Sequence, residues 1–349
     1  MSSQDKDRAK PETWRDWLSQ FESAAGGLLT WPLVIIPILV LILFTGINQL
    51  KSLTSGPAVI AYIAQDQVYA EPLLADFTQE TGIRVRAVYD SEAVKTVGLA
   101  NRLLAEAAHP QCDVFWGNEE LRTRQLAIQD TWRATNGWAA FGYRSRRIVI
   151  NTNFVRWGET PSNRTATPEP PRSLLELTNA VWRGKVALAY PIFGTTATHF
   201  LALRQHWGDP AWEEWCVALA ANRPFVVDGN SVAAKLVAKG EAWLGLSDSD
   251  DIAAVQSEGA PVVALPLSEE SLLIPNTVAV VRNAPHPEAA QRLFAWLQRP
   301  EVAARLVTLK ALEGASAVAI KTPTLQPNWD KLVSELEAGT ERLKEIFVR

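Results

Sequence analysis

Between Leu28 and Ile47 the chain carries no charged residue, and no other stretch restricts its fate so tightly. Twenty helical residues rise about 30 Å, the thickness of a bilayer's hydrocarbon core. LLTWPLVIIPILVLILFTGI therefore reads as a single membrane span. It has no polar face, which argues against a buried core helix, and Pro32 and Pro37 near its start are tolerated in lipid where freed carbonyls are satisfied locally. Lys6, Arg8, Lys10 and Arg15 precede the span, whereas Lys51 alone is basic in the twenty residues after it. The positive-inside rule leaves residues 1–27 in the cytoplasm and exports the chain beyond a linker at 48–56. Thr54-Ser55-Gly56-Pro57-Ala58 is a poor signal-peptidase site, and no cysteine comes after it for lipidation. The expectation is an uncleaved single-pass anchor in the cell membrane. In the tail, Trp14, Trp17, Leu18 and Phe21 share one helical face suited to the headgroup layer.

Of 34 basic and 38 acidic residues, the tail holds four and five and Lys51 is one more, leaving 29 against 33 in the exported part. That mild acidity gives no reason to bind nucleic acid, and 47% hydrophobic with 21% charged residues excludes disorder. Cys112 and Cys216 fall in different predicted subdomains, so they read as packing residues rather than a disulfide. His109, His199, His206 and His286 show no zinc-ligand spacing.

From Pro57 onward short β-rich runs alternate with helical patterns. AVIAYIA, IRVRAVYD and CDVFWG are separated by helices, as in a parallel doubly wound sheet. After RRIVINTNFV and the Pro-rich TPSNRTATPEPP a second unit of the same build begins, with strands VALAY, FVVD and AWLGLSD. PVVALPL and NTVAVVRN, two helices and a C-terminal helix from Asn328 to Phe347 complete the chain. About 290 residues suit two cores better than one.

Ligands of such sheets bind beyond the carboxyl ends of the strands, so the strand-to-helix loops carry the chemistry. In PIFGTTATHF, Gly194, Thr195, Thr196 and Thr198 set hydroxyls beside the amides of a helix start, an arrangement that serves equally as an anion cradle or as a plain capped helix. Asp228, Gly229, Asn230 and Ser231 form a similar junction. In LGLSDSDDIAAV, Asp248, Asp250 and Asp251 exceed what helix capping needs. Clustered carboxylates of this kind suit a hard cation, although exposed acidic loops without one are common. Asp66 comes after the first strand, and Trp116, Asn118 and Glu119 after the third. Arg144 and Arg146 alternate onto one face near the boundary between the units. There is no serine elbow, Walker loop, dinucleotide fingerprint or metalloprotease motif, so a binding protein is expected rather than an enzyme, without an organic cofactor.

The ordered set VIAYIAQDQVYAEPLL, CDVFWGNEELRTRQL, IVINTN, GKVALAYPIFGTTATHF, VVDGNSVAAKLVAKGEAWLGLSDSDD and LLIPNTVAVVRNAPHPEAAQRLFAWL resembles the extracellular solute-binding proteins of ABC importers, in the ferric-iron-binding branch. The resemblance covers Val59 to Arg349 and leaves the anchor outside it. It implies a two-lobed α/β periplasmic-binding-protein fold of type II, with lobe 1 from 57–150 and 278–349 and lobe 2 from 151–277. Crossover strands near Asn151–Asn153 and Ile274–Thr277 would form a hinge that closes on ligand. A permease and an ATPase are the implied partners.

Iron-binding members place a Tyr-Tyr pair after the strand matching AWLGLSD. Those positions are Asp250 and Asp251 here. Asp66 and Asn118 or Glu119 match the first-lobe ligands, and Gly194, Thr195 and Thr196, with Asn230 and Asp248 beside them, match the anion-binding segment. Two ligand classes are compatible with this set. One is Fe³⁺ or another hard cation with a synergistic anion, which the whole-chain similarity favours. The other is an organic phosphate or phosphonate that uses the Thr loop and arginines for its anion and the aspartates for an ammonium. A sensing role without transport is a further alternative.

Overall fold

The computed structural model describes residues 36–41, 57–90, 95–135, 137–158, 167–316 and 320–348. The chain divides into two compact units, Met1–Gly56 and Pro57–Arg349. In the first unit, 36–41 are helical and exposed. The rest of the expected span and the whole tail lie outside the described residues. Among the described residues no helix is long and apolar enough to cross a membrane.

The second unit is built on one sheet of nine strands. β1 (Ala58–Ile63), β2 (Arg84–Val88) and β3 (Val114–Gly117) are parallel in one half. β5 (Val186–Ala189), β6 (Phe225–Val227) and β7 (Leu244–Asp248) are parallel in the other. Two antiparallel strands, β4 (Trp138–Asn151) and β9 (Leu272–Val280), connect the halves in the order β2-β1-β3-β9-β4-β7-β5-β6, with β8 (Val262–Ala264) on β4.

β4 has 14 residues and spans about 46 Å, enough to serve both halves. From Trp138 to Arg146 it pairs with β9, and from Arg146 to Ile150 with β7. Arg146 lies opposite both Leu272 and Asp248, so the handover falls there. The expected crossover at Asn151–Asn153 is displaced, because Asn151 already belongs to the second half, where its Nδ2 donates to Val237 O at 2.8 Å. The bulge at Phe141/Tyr143 needs Gly142: its φ is +57°, and a Cβ there would meet Leu312 Cδ1 at 2.3 Å.

Helices cover both faces of each half, as apolar faces on both sides of a parallel sheet require. In the first half, α1 (Gln67–Thr81), α8 (Pro287–Leu297) and α9 (Pro300–Thr308) pack on one face around Phe77, Leu293 and Leu306. α2 (Lys95–Ala105) and α3 (Glu120–Ile128) cover the other with Leu99, Leu103 and Leu126. In the second half, α6 (Asn230–Lys239) and α7 (Ser249–Ser257) pack over Val149 and Ala187. α4 (Gly194–Trp207), α5 (Asp209–Ala221) and the C-terminal α10 (Trp329–Phe347) cover the opposite face.

The sequence groups α10 with the first lobe, but Leu332, Leu336, Leu343 and Ile346 join the cluster of Trp182, Phe200 and Trp215. Its N-terminal end also reaches α3, where the Arg124 guanidinium lies 5.7 Å from the Trp329 ring. Position in the chain therefore misassigns α10, whose 3.6-residue apolar stripe decides where it packs. Cys112 and Cys216 are both buried, in separate clusters.

Candidate functional site

The chemistry-bearing loops meet at the handover from β4 to β7. Asp248 ends β7 directly opposite Arg146, and its carboxylate is the hub of the site, 2% exposed. Oδ1 accepts from Arg146 Nη1 at 2.8 Å. Oδ2 accepts from Thr195 Oγ1 at 2.8 Å, and from Arg144 Nη1 and Asn230 Nδ2 at 3.3 Å each. Two residues on, Asp250 receives Arg144 Nη1 at 2.9 and 3.1 Å.

Arg144 also reaches the first half, where its Nη2 donates to Asn118 O at 2.6 Å, and Asn118 Oδ1 accepts from Thr96 Oγ1 at 2.8 Å. Asn230 completes the second-half set. Its Oδ1 accepts from Arg146 Nη1 at 2.8 Å and Thr196 Oγ1 at 3.2 Å, and its Nδ2 donates to Thr195 Oγ1 at 2.9 Å.

A cavity of ≈ 80 Å³ opens over this network. Of the sequence-predicted residues, Asp66, Asn118, Arg144, Gly194, Thr195, Thr196, Asn230, Asp248 and Asp251 line it. The N-termini of α1, α4, α6 and α7 converge there, with Asp66, Phe193, Gly229 and Asp248 as their cap residues, and none of the four has a side-chain cap hydrogen bond. Backbone amides and the positive ends of several helix dipoles are thus presented to one small volume. Gly194, at φ +50°, adopts the left-handed turn from which α4 starts.

Four predicted residues sit elsewhere. Trp116 lies within β3 rather than in the loop after it, and its ring packs 6.1 Å from Phe141 in the first-half core. Glu119 caps α3 by accepting from Leu121 N at 2.7 Å and Arg122 N at 3.1 Å. Burial raises its carboxyl above the usual range, although Arg122 and those amides oppose the shift. Glu119→Ala is expected to lower stability by about 1–2 kcal/mol in denaturant unfolding, the loss of a helix cap, while changing ligand affinity less than two-fold. Arg146 and Asp250 do not line the cavity and instead bind residues that do, Arg146 holding Asp248 and Asn230 and Asp250 holding Arg144.

Sequence reasoning missed Thr96, Tyr190 and Phe193, which also line the cavity. Thr96 is the second residue of α2, the helix after β2, and so starts from the same carboxyl edge as the segments after β1 and β3, which was the available signal.

Four carboxyls, those of Asp66, Asp248, Asp250 and Asp251, surround two guanidiniums. Burial raises Asp250 to about 6, with Asp248 and Asp66 adding to the shift and Arg144 opposing it. Burial also raises Asp251 well above the carboxylate range, with Asp250, Asp248 and Asp66 acting the same way. Asp251 borders the cavity, whereas Asp248 and Asp250 are the two that hold Arg144 Nη1.

Burial pulls the Arg144 guanidinium down, and Asp250, Asp248 and Asp251 more than reverse it. Because the folded protein holds the Asp250 proton more tightly than the unfolded chain, this group's contribution is greatest below pH 3.8 and is lost as pH rises toward 6. The loss is on the order of 2–3 kcal/mol. Thermal unfolding from pH 4 to 7.5 should show Asp250→Asn gaining on the parent protein with rising pH, and parallel profiles would remove the assignment.

The carboxylate oxygens of Asp248, Asp250 and Asp251 lie within 4.8 Å of one another, a spacing a hard cation can use. Arg144 Nη1 already binds two of the three. The same lone pairs cannot serve a metal while a guanidinium holds them.

Comparison with known proteins gives a consistent fold. The family model described as bacterial extracellular solute-binding protein matches residues 59–308. Iron-bound HitA from Pseudomonas aeruginosa superposes with a TM-score of 0.69 at 18% identity, covering 82% of this chain and 99% of that one. The periplasmic binding protein AfuA from Actinobacillus pleuropneumoniae, with fructose-6-phosphate bound, gives 0.68 at 16% identity, covering 84% and 99%. The Trichodesmium protein IdiA (FutA) with iron and citrate gives 0.58 at 20% identity, covering 82% and 99%. No curated protein sequence matches the chain. At these identities the likeness is one of fold: two α/β lobes joined by crossing strands.

Proposed function

The chain belongs to the bacterial extracellular solute-binding proteins, a family that binds substrates rather than transforming them, and on that premise we propose that it is the receptor of an ABC-type importer for a small organic phosphate or phosphonate bearing an ammonium or hydroxyl group. One observation carries this reading. Four helix N-termini without side-chain caps open on the cavity that Asp66 and Asp251 share. Helix N-termini favour an anion, and desolvated carboxyls favour a cation or a hydroxyl donor, so the ligand carries both ends. Arg144 replaces a metal as the fixed positive charge among the aspartates.

A hard cation such as Fe³⁺, held with a synergistic anion, is the second reading. The proximity of the three carboxylates favours it, as do the fold relatives described with iron. Calorimetry separates the two. Heat with 2-aminoethylphosphonate or fructose 6-phosphate in metal-free buffer, and none with Fe³⁺-citrate, Ca²⁺ or Mn²⁺, supports the organic anion. The reverse pattern sinks it.

In this proposal the receptor is tethered. Residues 28–47 anchor it in the cell membrane with residues 1–27 in the cytoplasm, and the 48–56 linker holds the periplasmic domain near its permease and ATPase at high effective concentration. Lobe 1 comprises 57–150 with the first helices after 278, lobe 2 comprises 151–277, and α10 closes over the second. Ligand draws the lobes together about β4 and β9.

A further inference from the structure

α10 touches both halves. Its apolar stripe belongs to the second-half core, yet α3 of the first half packs along it. Leu121 of α3 is buried in the second-half cluster with Leu332 and Leu336. Arg122, half-buried beside it, lies near the carboxylates of Glu119 and of Glu337 on α10, which oppose the lowering of its guanidinium by burial.

Arg124 closes this seam. Its guanidinium lies 5.3 Å from the Trp138 ring and 5.7 Å from the Trp329 ring, both within cation–π reach. Its Nε donates to Glu120 Oε1 at 2.7 Å, and its Nη1 lies 4.0 Å from Asp330 Oδ1. The two rings belong to different halves. Trp138 opens β4 opposite Ala279 in the first, whereas Trp329 opens α10 and packs against the second-half cluster. A rotation that parts the halves separates the rings, and the guanidinium can then keep only one of them.

The seam begins at the cleft. Asn118, whose carbonyl oxygen takes Arg144 Nη2, stands two residues before α3, so parting the halves at the cleft also draws α3 away from α10. Every partner in the seam is a side chain of this protein, so the contact acts whether or not the cleft is filled. Trp138, Arg124 and Trp329 do not line the cleft cavity, which leaves the halves rather than the ligand for them to act on.

We propose that the α3–α10 seam is a latch. Arg124 between Trp138 and Trp329 favours the closed arrangement of the two halves, populates it ahead of ligand and slows ligand release. Ligand then completes a shift for which the chain itself supplies part of the driving force.

The test is pulsed electron–electron spin resonance between nitroxides at Val68→Cys on α1 and Val232→Cys on α6, in the full-length protein in detergent. These positions flank the cleft from the two halves and are 72% and 38% exposed, while Cys112 and Cys216 are buried. Without ligand, the parent should give two distances. Trp329→Ala should lower the ratio of the short to the long one about five-fold, the scale of one half-exposed cation–π contact, and Trp329→Phe by about two-fold or less. Arg124→Met serves if Trp329→Ala misfolds. A single long distance in the parent, or a ratio that both Trp329→Ala and Arg124→Met leave unchanged, overturns the latch.

Stopped-flow mixing with a dye at Val232→Cys reads the consequence for ligand. Release of 2-aminoethylphosphonate should be about three- to five-fold faster in Trp329→Ala with association unchanged, and unchanged release overturns the link between latch and ligand. This arm alone rests on the organic-anion reading of the cleft. If 2-aminoethylphosphonate gives no signal with the parent, that reading fails, while the distances still decide the latch.

Discussion

Arg144→Met should lower the melting temperature by about 10 °C and convert the acidic cluster into a divalent-cation site. Arg144 is 3% exposed and binds Asp248, Asp250 and the Asn118 carbonyl, so its removal strands two buried carboxylates and an acceptor. Breaking a buried pair from one side costs about 3–5 kcal/mol, and a domain of this size loses roughly 2–4 °C per kcal/mol. Without the guanidinium, three carboxylates within 4.8 Å repel one another, and a hard cation offsets that repulsion. Adding Ca²⁺ or Mn²⁺ should therefore restore much of the lost stability in the variant and leave the parent unaffected. Differential scanning fluorimetry with and without the ions reads both effects. A variant as stable as the parent, or a parent that responds to the ions as strongly, would contradict the role of Arg144 as the internal cation.

Asn230→Asp is nearly isosteric, and its effect on ligand differs in sign between the two ligand classes. Asn230 opens α6 and borders the cavity beside Asp248, with Arg146 and Thr196 donating to its Oδ1. The substitution replaces an amide by a charge of the same shape where an anion is proposed to bind. Affinity for 2-aminoethylphosphonate should fall about 30–100-fold, on the scale of placing like charges together in a desolvated site. A cation ligand would bind more tightly to the same variant. Calorimetry with phosphonate and with Ca²⁺ therefore decides between the classes by direction alone, and tighter phosphonate binding would end the organic-anion reading.

How much of the fold and site is legible in the sequence depends on which force places each residue. Period-2 alternation puts Arg144 and Arg146 on one face, and both do reach Asp248. The carboxyl edge of the strands locates the Thr195 loop, the Asn230 turn and Asp248–Asp251, because backbone topology fixes where those loops open. Pairing between distant charges is what the sequence does not show. The acidic run reads as a cation site until a buried arginine more than a hundred residues away is found between two of its members. Glu119 is misread for a related reason: a carboxylate at a helix start serves a local amide or a distant ligand with the same sequence pattern. Trp116 is misplaced because it lies inside the strand CDVFWG, whose alternation turns its ring into the first-half core beside Phe141.

Each half of the periplasmic unit is finished by late-arriving chain. β9, α8 and α9 complete the first sheet half, and the apolar stripe of α10 completes the second-half core beside Trp182, Phe200 and Trp215. A chain emerging from its N-terminus therefore leaves the first core unfinished until α9 is out, and the second until the nineteen-residue α10 is out. The second core therefore depends on a segment distant in the chain from its own strands, and loss of α10 would leave Trp182, Phe200 and Trp215 without part of their cover.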